Sequence, residues 1–416
     1  MADRETLAVK GGAPAVDVPI PGRGHFGLEE KAAVDALFEE AVRTGNAPEY
    51  NGIQEGNFSL EFAERIGSRF ADGVNSGSTA VFVALKALEL PPFSEVVTSP
   101  ITDAGGIMPV VLNSCVPVPA DTVEGSYNIG PNEIEERITE RTSAIVVAHI
   151  FGYPADMEGI MKVAEKHNLP VVEDCAQALG ATIGGRHVGT FGTVGTFSLM
   201  SGKHICTGGQ GGAVVTDDEE LFWKLRRSAD RGKPFHTGKS TNIFPSLNFN
   251  MDEIHAAIGR VQIKKLSSIV ERRRKIMDIL REEVFGKTRC MSCAMEDTMP
   301  GNACSSYWKT ALKFHGENAK CTKTEFVEAL KKEGLPVAES YRGAFQPEYE
   351  WYRNRANFLP WSSKEYKGDA GKSFAFPHAQ KALEEIFLFF IAENFEGELL
   401  DKMKKAFLKA DSFFAK

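Results

Sequence analysis

The sequence predicts an α/β fold in which a mainly parallel sheet carries helices on both faces, followed by a smaller α+β region. Apolar stretches such as 95–98, 116–119 and 144–148 alternate with helical segments, a pattern typical of parallel sheets. Further along, the chain becomes a charged helix, then irregular segments and short strands. We therefore expect a large domain over residues 1–266, which includes an N-terminal arm, and a small C-terminal domain over residues 267–416.

The composition is that of an ordinary globular protein and limits the partners to be considered. The 416 residues are 43% hydrophobic and 25% charged, which is enough for a large core and more than one domain. The net charge is −8 and basic residues form no long block, so neither nucleic acid nor a membrane surface is expected as a partner. The N-terminus lacks an apolar leader, and no apolar run reaches transmembrane length.

The cysteines indicate a reducing compartment and no metal site. Seven cysteines without tight clustering fit a cytoplasmic protein. Cys290 and Cys293 form a CxxC pair, but neither a second CxxC nor a pair of histidines accompanies it. Because a structural zinc ion needs four ligands, we expect no metal.

The N-terminal part of the chain combines an arm, two helices and a polar turn. An irregular lead-in with Pro19 and Pro21 precedes two segments with apolar residues at helical spacing, which predict helices over 28–42 and 59–70. A glycine-containing turn then opens into a helix over 79–89. Free N–H groups at a helix N-terminus favour a phosphate. Ser and Thr are also ordinary helix caps, so this turn alone leaves both interpretations open.

The remaining elements alternate so that several polar residues follow strands. Further helices are expected over 105–113, 131–138, 156–167, 219–230, 252–280, 323–333 and 396–409. Further strands are expected to end at Asp174 and to cover 213–216, 306–314 and 386–391. Ligands of parallel sheets bind beyond the carboxyl ends of strands. We therefore expect Ser78, at a loop–helix junction, and His149 and Asp174, which follow strands, to lie at one crevice.

The stretch 171–218 organises the rest of the chain. A buried strand ends in an acid, Asp174, and a glycine-rich segment then leads to a lone lysine, Lys203. Pyridoxal phosphate chemistry needs these two groups: an amine that forms a Schiff base, and a carboxylate that keeps the pyridine nitrogen protonated. Strands followed by an acid are frequent in α/β proteins, and a lysine is usually a solvated surface charge. The spacing alone therefore leaves a structural interpretation open.

A wider set of motifs resembles the DegT-type sugar aminotransferases, which are fold-type I pyridoxal phosphate enzymes. The resemblance rests on Glu173-Asp-Cys-Ala-Gln177, Val188-Gly-Thr-Phe-Gly192, Phe197-Ser198, Lys203 and Gly208-Gly-Gln-Gly-Gly212. It extends from about residue 58 to about residue 266, so it makes the large domain the cofactor-binding one.

The resemblance implies roles for single residues. Lys203 corresponds to the lysine that forms the Schiff base and then moves a proton, and Asp174 to the partner of the pyridine nitrogen. Gln177 corresponds to the residue beside the phenolic edge of the cofactor. The other cofactor-binding residues that we expect are Gly77, Ser78, Thr79, Ser198, Asp103, His149 and Asn248. A buried structural role for His149 is equally open.

Asn248 leads us to expect a homodimer with shared active sites. In the resembling family, an asparagine at this place reaches the cofactor phosphate of the neighbouring subunit. The sequence departs from the family pattern at two positions. Asp103 stands where an aromatic residue usually stacks on the cofactor ring, and Asn250 replaces a usual arginine. Both changes affect the expected substrate contacts, while the lysine and the acid are retained.

The resemblance implies an aminotransferase that moves an amino group from glutamate or glutamine to a keto sugar, nucleotide-linked, or to a related keto-polyol. Two alternatives stay open. One is a pyridoxamine phosphate-dependent dehydratase of deoxyketo sugars, although those relatives carry a histidine where Lys203 stands. The other is a non-catalytic regulator that retains the cofactor, for which Asp103 and Asn250 are the only support.

Overall fold

The computed structural model describes residues 6–416, and its centre is a seven-stranded sheet. The strands are β1 Phe70–Val74, β2 Glu95–Thr98, β3 Val116–Pro119, β4 Thr142–Ala148, β5 Val171–Asp174, β6 Thr182–Ile183, β7 Arg186–His187, β8 Val194–Ser198, β9 Gly212–Thr216, β10 Met291–Cys293, β11 Ala303–Cys304, β12 Thr310–Phe314, β13 Val337–Ala338 and β14 Ile386–Phe389. The α-helices are α1 Leu28–Thr44, α2 Ile53–Ile66, α3 Gly77–Ala87, α4 Met108–Leu112, α5 Pro131–Glu135, α6 Met157–His167, α7 Glu219–Ala229, α8 Glu253–Leu280, α9 Lys323–Lys332, α10 Glu350–Arg353, α11 Pro377–Glu385 and α12 Gly397–Phe414.

The strand order of the central sheet is β1-β9-β8-β5-β4-β2-β3. Strand β9 is antiparallel to both of its neighbours, β1 and β8, and the other neighbouring pairs are parallel. All strands except β9 therefore end at the same edge of the sheet. This confirms the predicted α/β class with a mainly parallel sheet.

The sheet is buried on both faces, as its apolar strands require. Every residue of β5 is buried, and helix α6 supplies Met157, Ile160 and Ala164 to the core beneath it. Helix α6 begins where the side chain of Asp156 accepts a hydrogen bond from the N–H of Gly159, which is the usual way to satisfy a free amide at a helix start. The sheet thus forms a rigid base from which the polar residues after each strand project.

The C-terminal part has its own sheet and core. Strands β10, β12, β14 and β13 form a four-stranded antiparallel sheet in that order. Its core is rich in phenylalanine, with Phe326, Phe387 and Phe407 fully buried. Helix α8 runs without a break through residue 266, and the division into domains at that residue stays a prediction.

Several elements differ from the sequence-based prediction. Helix α2 begins six residues earlier than expected and ends before strand β1. This strand was not predicted, because its polar Asp72 and its Gly73 are residues more typical of a turn. The expected helix over 105–113 is two short pieces, because Asp103 caps a 3-10 turn at 104–106 before α4 begins. Strand β8 and helix α11 were not predicted. Among residues 6–416, no helix is long and apolar enough to cross a membrane.

Candidate active site

A cavity of about 180 Å³ lies at the edge of the central sheet where the parallel strands end. Its lining residues are Ser76, Gly77, Ser78, Thr102, Asp103, Gly105, Gly106, Asp174, Ala176, Gln177, Ser198, Met200, Lys203 and Gln210. Seven of the residues predicted from the sequence are among them: Gly77, Ser78, Asp103, Asp174, Gln177, Ser198 and Lys203. The fold therefore brings residues from five separate segments to one place.

One end of the cavity is the N-terminus of helix α3. Ser76 caps this helix: its hydroxyl accepts the N–H of Thr79, and the Thr79 hydroxyl lies within hydrogen-bonding distance of the backbone N–H of Ser76. The amides of Gly77 and Ser78 have no acceptor among residues 6–416, and neither do the hydroxyls of Ser78 and Ser198. Unpaired donors at the positive end of a helix dipole form an anion-binding site.

Three glycines, which we call the glycine cradle (Gly77, Gly105 and Gly106), let the backbone approach the cavity closely. A Cβ atom on Gly77 would lie 2.6 Å from Cβ of Ser198, and one on Gly106 would lie 2.7 Å from Oδ2 of Asp174. A Cβ atom on Gly105 would lie 2.2 Å from the hydroxyl of Ser78. Any side chain at these positions would push the cavity-lining groups aside, so glycine keeps the space open.

Asp174 ends strand β5 and points its carboxylate into the cavity. Its residue is only 7% exposed, and Oδ1 accepts the N–H of Ala176 at 3.0 Å. Burial raises the pKa of Asp174, while the Ala176 amide and the charge of Lys203 act in the opposite direction. A cation next to this carboxylate would relieve the cost of burying its charge.

Lys203 is the second buried charged group of the cavity, at 7% exposed. Its Nζ lies 4.1 Å from the centroid of the Trp308 ring, and the Trp308 indole N–H donates to the carbonyl of Gly202 at 2.7 Å. Burial lowers the pKa of Lys203, although Asp174 and Asp103 oppose the shift. A lowered pKa increases the fraction of neutral amine, which is the form that reacts with a carbonyl.

The loop that carries Lys203 is held by the N-terminal arm. The guanidinium of Arg23 donates to the carbonyl oxygens of Lys203 and His204 and pairs with Glu393 at 2.8 Å. Arg273, from helix α8, binds the same carboxylate at 2.8 Å. Three distant segments of the chain thus meet behind the lysine.

Gln177 lies across the cavity with both ends of its amide occupied. Its Oε1 accepts the N–H of Phe151 at 2.9 Å, and its Nε2 donates to the hydroxyl of Tyr341 at 3.0 Å. Tyr341 comes from the C-terminal part, so this bond links that part to the loop after strand β5 at the cavity. The two hydrogen bonds fix the orientation of the Gln177 amide at the side of the cavity.

Asp103 lines the cavity, and its carboxylate also has a local role. Its Oδ1 accepts the N–H of Gly105 at 2.9 Å and caps the 3-10 turn that follows. The same residue lines a second, more open cavity of about 540 Å³, together with Tyr341, Tyr349 and Trp351. An aspartate at this position is therefore explained by the turn it starts, and it lines both cavities.

Three predicted site residues do not line the cavity of this chain. Thr79 donates to Asn75 Oδ1 at 2.8 Å, and Asn248 is exposed. His149 is fully buried: Nδ1 accepts the N–H of Ala155, so Nε2 carries the proton and donates to Glu173 at 3.1 Å. The assignment of these three residues to the cofactor stays a prediction.

One group of side chains within residues 6–416 has metal-ligand chemistry, namely His149, Glu173 and Cys175. Its ligand atoms lie within 4.8 Å of one another. The Glu173 carboxylate already accepts the amides of Gly189 and Gly192 and the His149 proton. Hydrogen bonds within the chain thus account for this cluster.

Sequence reasoning missed the aromatic residues of the site, above all Trp308 and Tyr341. Both lie more than 100 residues from Lys203 in the chain, and no motif links them to it. The only available signal was the concentration of aromatic residues around 341–361, which predicts a buried or ligand-binding surface without saying which.

Comparison with known proteins identifies the family. The DegT/DnrJ/EryC1/StrS aminotransferase family matches the chain over residues 29–386. The chain belongs to this family. Members of the DegT/DnrJ/EryC1/StrS family use pyridoxal 5'-phosphate as their cofactor, which confirms the predicted cofactor.

The chain is similar to enzymes that make amino sugars. It is 34% identical to GDP-perosamine synthase of Escherichia coli O157:H7 over 234 residues, which are 56% of this chain and 63% of that enzyme. The match therefore spans less than two thirds of the relative. Among solved structures of this fold, an aminotransferase from Psychrobacter cryohalolentis is 27% identical, with a TM-score of 0.81 over 93% of this chain and 98% of that chain.

A third comparison shows the shared fold alone. The Bacillus subtilis protein NtdA, described with its bound cofactor PMP, has a TM-score of 0.80 at 21% identity, over 95% of this chain and 86% of that chain. The residues of the DegT/DnrJ/EryC1/StrS family member described here fit such a cofactor. The unpaired amides and hydroxyls suit a phosphate, and the glycine cradle leaves room for it. The buried carboxylate of Asp174 and the buried amine of Lys203 suit the cofactor ring and its aldehyde.

Proposed function

We propose that this protein is a pyridoxal phosphate-dependent aminotransferase that moves an amino group from glutamate or glutamine to a keto sugar or related keto-polyol. The observation that carries the proposal is the burial of both Lys203 and Asp174 at one cavity beside an unpaired helix N-terminus. Burying an unpaired charged group costs free energy, and such groups are concentrated at functional sites. The family membership and the similarity to amino-sugar enzymes support the same reaction.

The cofactor would be held at three places. Gly77, Ser78 and Ser198 would bind its phosphate with the unpaired amides and hydroxyls described above. Asp174 would accept a hydrogen bond from the protonated pyridine nitrogen, and that contact would place a cation beside the buried carboxylate. When bound, the cofactor accepts the amino group and takes up the charge left when the donor loses its Cα proton.

Lys203 would carry out the proton transfer. Its Nζ is free of carboxylate partners among residues 6–416 and rests on the Trp308 ring, so it can change protonation state without breaking an ion pair. Burial lowers its pKa, which brings the amine nearer to the neutral form that removes a proton from the donor Cα. The aromatic ring and the Arg23 contacts to the backbone of Lys203 keep its position fixed.

The experiment that tests the proposal is direct. Purified protein loaded with pyridoxal phosphate is incubated with glutamate and a panel of keto sugars, nucleotide-linked and free, and of cyclitol ketones. Mass spectrometry follows the amine product and 2-oxoglutarate. Formation of 2-oxoglutarate and of one aminated acceptor is the expected result. Loss of water from a deoxyketo sugar without amine transfer would instead indicate the dehydratase.

We also propose a homodimer whose active sites need both chains. Asn248 is exposed, and its side chain makes no hydrogen bond among residues 6–416. It stands beside the exposed Leu247, and helix α1 exposes Leu28, Phe38 and Val42. These four exposed apolar side chains would be removed from water if a second copy of the chain packed against them. A heterodimer of a Lys203→Ala chain and an Asn248→Ala chain should regain one intact site, and verified heterodimers without activity would contradict sharing.

The cytoplasm is the compartment we propose. All seven cysteines are free thiols, as expected in a reducing environment. Thiol titration of the protein purified from its native host under non-reducing conditions should find all seven cysteines reduced.

A further inference from the structure

We infer that Lys309 is the residue that binds a carboxylate of the amino donor, an inference that rests on the proposed transaminase function. Lys309 immediately precedes strand β12 and was not singled out from the sequence. It lies in the C-terminal part of the chain, next to Trp308, whose ring contacts Lys203. The inference rests on three observations about the Lys309 ammonium: the residues that surround it, the absence of a salt-bridge partner among residues 6–416, and its position relative to Lys203.

Four aromatic residues, which we call the aromatic wall (Phe151, Trp308, Tyr341 and Phe390), surround the ammonium group. The Nζ atom lies 4.4 Å from the ring centroid of Trp308, 4.9 Å from that of Tyr341, 5.1 Å from that of Phe390 and 5.5 Å from that of Phe151. Ring faces attract a cation without supplying a charge or a hydrogen-bond acceptor. The wall therefore positions the ammonium and leaves its three N–H donors unused.

Lys309 has no anionic partner in the part of the chain that the structure describes. The neighbouring arginines already have partners. Arg23 and Arg273 both bind Glu393, and Arg342, which follows Tyr341 in the chain, binds Glu348. The Lys309 ammonium makes no salt bridge and no hydrogen bond. Leaving a half-buried ammonium without an anion costs folding free energy. A bound carboxylate would offset this cost, because it pairs with the charge and accepts the N–H donors.

The ammonium groups of Lys309 and Lys203 both rest on the Trp308 ring, which limits the distance between them. Nζ of Lys203 is 4.1 Å from the Trp308 centroid and Nζ of Lys309 is 4.4 Å from it, so the two nitrogens are no farther apart than the sum of these lengths. The donor reacts where Lys203 stands. A carboxylate one or a few bonds from the reacting carbon can reach Lys309.

The protonation state of Lys309 suits this role. Burial lowers its pKa to about 8, Lys203 adds to the shift, and Asp103 opposes it. The group thus remains mostly cationic at neutral pH. A bound carboxylate would stabilise that cation further.

The test measures binding of glutarate, a dicarboxylate without an amino group that cannot react. Isothermal titration calorimetry on cofactor-loaded protein compares the unmodified chain with Lys309→Met and Lys309→Arg. Removing one partner of a partly buried charge pair should raise the dissociation constant of glutarate at least about tenfold in Lys309→Met. Lys309→Arg keeps the charge and should stay within about threefold.

Lys313→Met is the matched control, because Lys313 lies on strand β12 and pairs with Glu385 on the surface. Its affinity for glutarate should equal that of the unmodified chain. Circular dichroism and thermal melting check that all variants fold. Unchanged glutarate affinity in folded Lys309→Met would overturn the inference, and so would an unmodified protein that converts glutamate yet does not bind glutarate.

Stopped-flow conversion of the cofactor by glutamate adds a second readout. Lys309→Met should need about tenfold more glutamate for half-saturation, while the rate at saturation changes less than about threefold. If no glutamate is converted but glutarate binding still depends on Lys309, the carboxylate site stands and the proposed donor reaction fails. A loss confined to the saturating rate, with glutarate affinity retained, would overturn the carboxylate assignment.

Discussion

The glycine cradle and the aromatic wall lie at the same site but are built in different ways. The cradle joins the start of helix α3 to the turn before α4, and its three glycines have no side chains, so backbone and short polar groups line the cavity there. The wall combines Phe151 with residues from 308–390, and its groups are large and apolar. The difference suggests a division of labour. Under the proposed function, local motifs would hold the cofactor, while long-range packing would form the surface that meets the substrates.

The largest effect should follow from Lys203→Ala, which separates holding the cofactor from using it. The unpaired donors of the cradle remain, so equilibrium dialysis should still detect bound pyridoxal phosphate. Borohydride reduction should link no cofactor to the protein, and the glutamate reaction should fall at least about a thousandfold. Lys309→Met serves as the comparison, since it should still be labelled at Lys203. A different labelled lysine in the unmodified protein would show that the central assignment is wrong.

Asp174→Asn should have the next largest effect and tests the carboxylate that lies against the cradle. The amide has nearly the same size but no charge, so the pyridine nitrogen loses the group that keeps it protonated. The glutamate half-reaction should slow at least about a hundredfold, roughly 2.7 kcal/mol of barrier. The phosphate contacts should keep the cofactor bound, though more weakly. Single-turnover spectra that show conversion at the parent rate would remove Asp174 from the mechanism.

Gly106→Ala sharpens the comparison by filling the cradle without removing any polar group. The added Cβ would lie 2.7 Å from Asp174 Oδ2, so the carboxylate must move. We expect about tenfold weaker cofactor binding, measured by fluorescence titration. Gly56→Ala is the control, because its Cβ meets nothing within 4 Å in helix α2. It should leave cofactor affinity unchanged and stabilise the fold by about 0.5–1 kcal/mol.

The smallest effect concerns Lys309, the lysine held by the aromatic wall, and its dependence on pH. The pKa of Lys309 is lowered to about 8, so its positive charge is present at pH 7 and is lost as the pH rises through 8. The dissociation constant of glutarate should therefore rise about fourfold between pH 7 and 8.5. In Lys309→Arg the charge persists and the curve should be flat. A rise of equal size in that variant would assign the titration to another group.

The same contrast explains what the sequence could and could not predict. Asp174, Gln177, Ser198 and Lys203 fall within 30 residues of one another, and strand ends and glycines place them together by local rules. The fold class followed from the alternation of strands and helices. Trp308, Tyr341 and Lys309 meet Lys203 only through packing between distant segments, for which a single sequence carries no local signal.

Two residues have local roles that the sequence does not reveal. Gly73 suggests a turn, yet it lies in strand β1, where the neighbouring Asp72 is buried and pairs with Arg226 at 2.8 Å. Asp103, which replaces the usual aromatic residue, caps the following 3-10 turn. Both residues are explained by partners that the sequence alone does not identify.

The contacts of Arg23 set a limit for anyone who shortens the protein or fuses it to another. Without that guanidinium, the carbonyl oxygens of Lys203 and His204 lose their donors and Glu393 keeps only Arg273. A truncation that removes residue 23 would therefore loosen the reactive loop from nearly 180 positions away. A fusion partner is better attached at residues before this anchor, with a linker that leaves Arg23 in place.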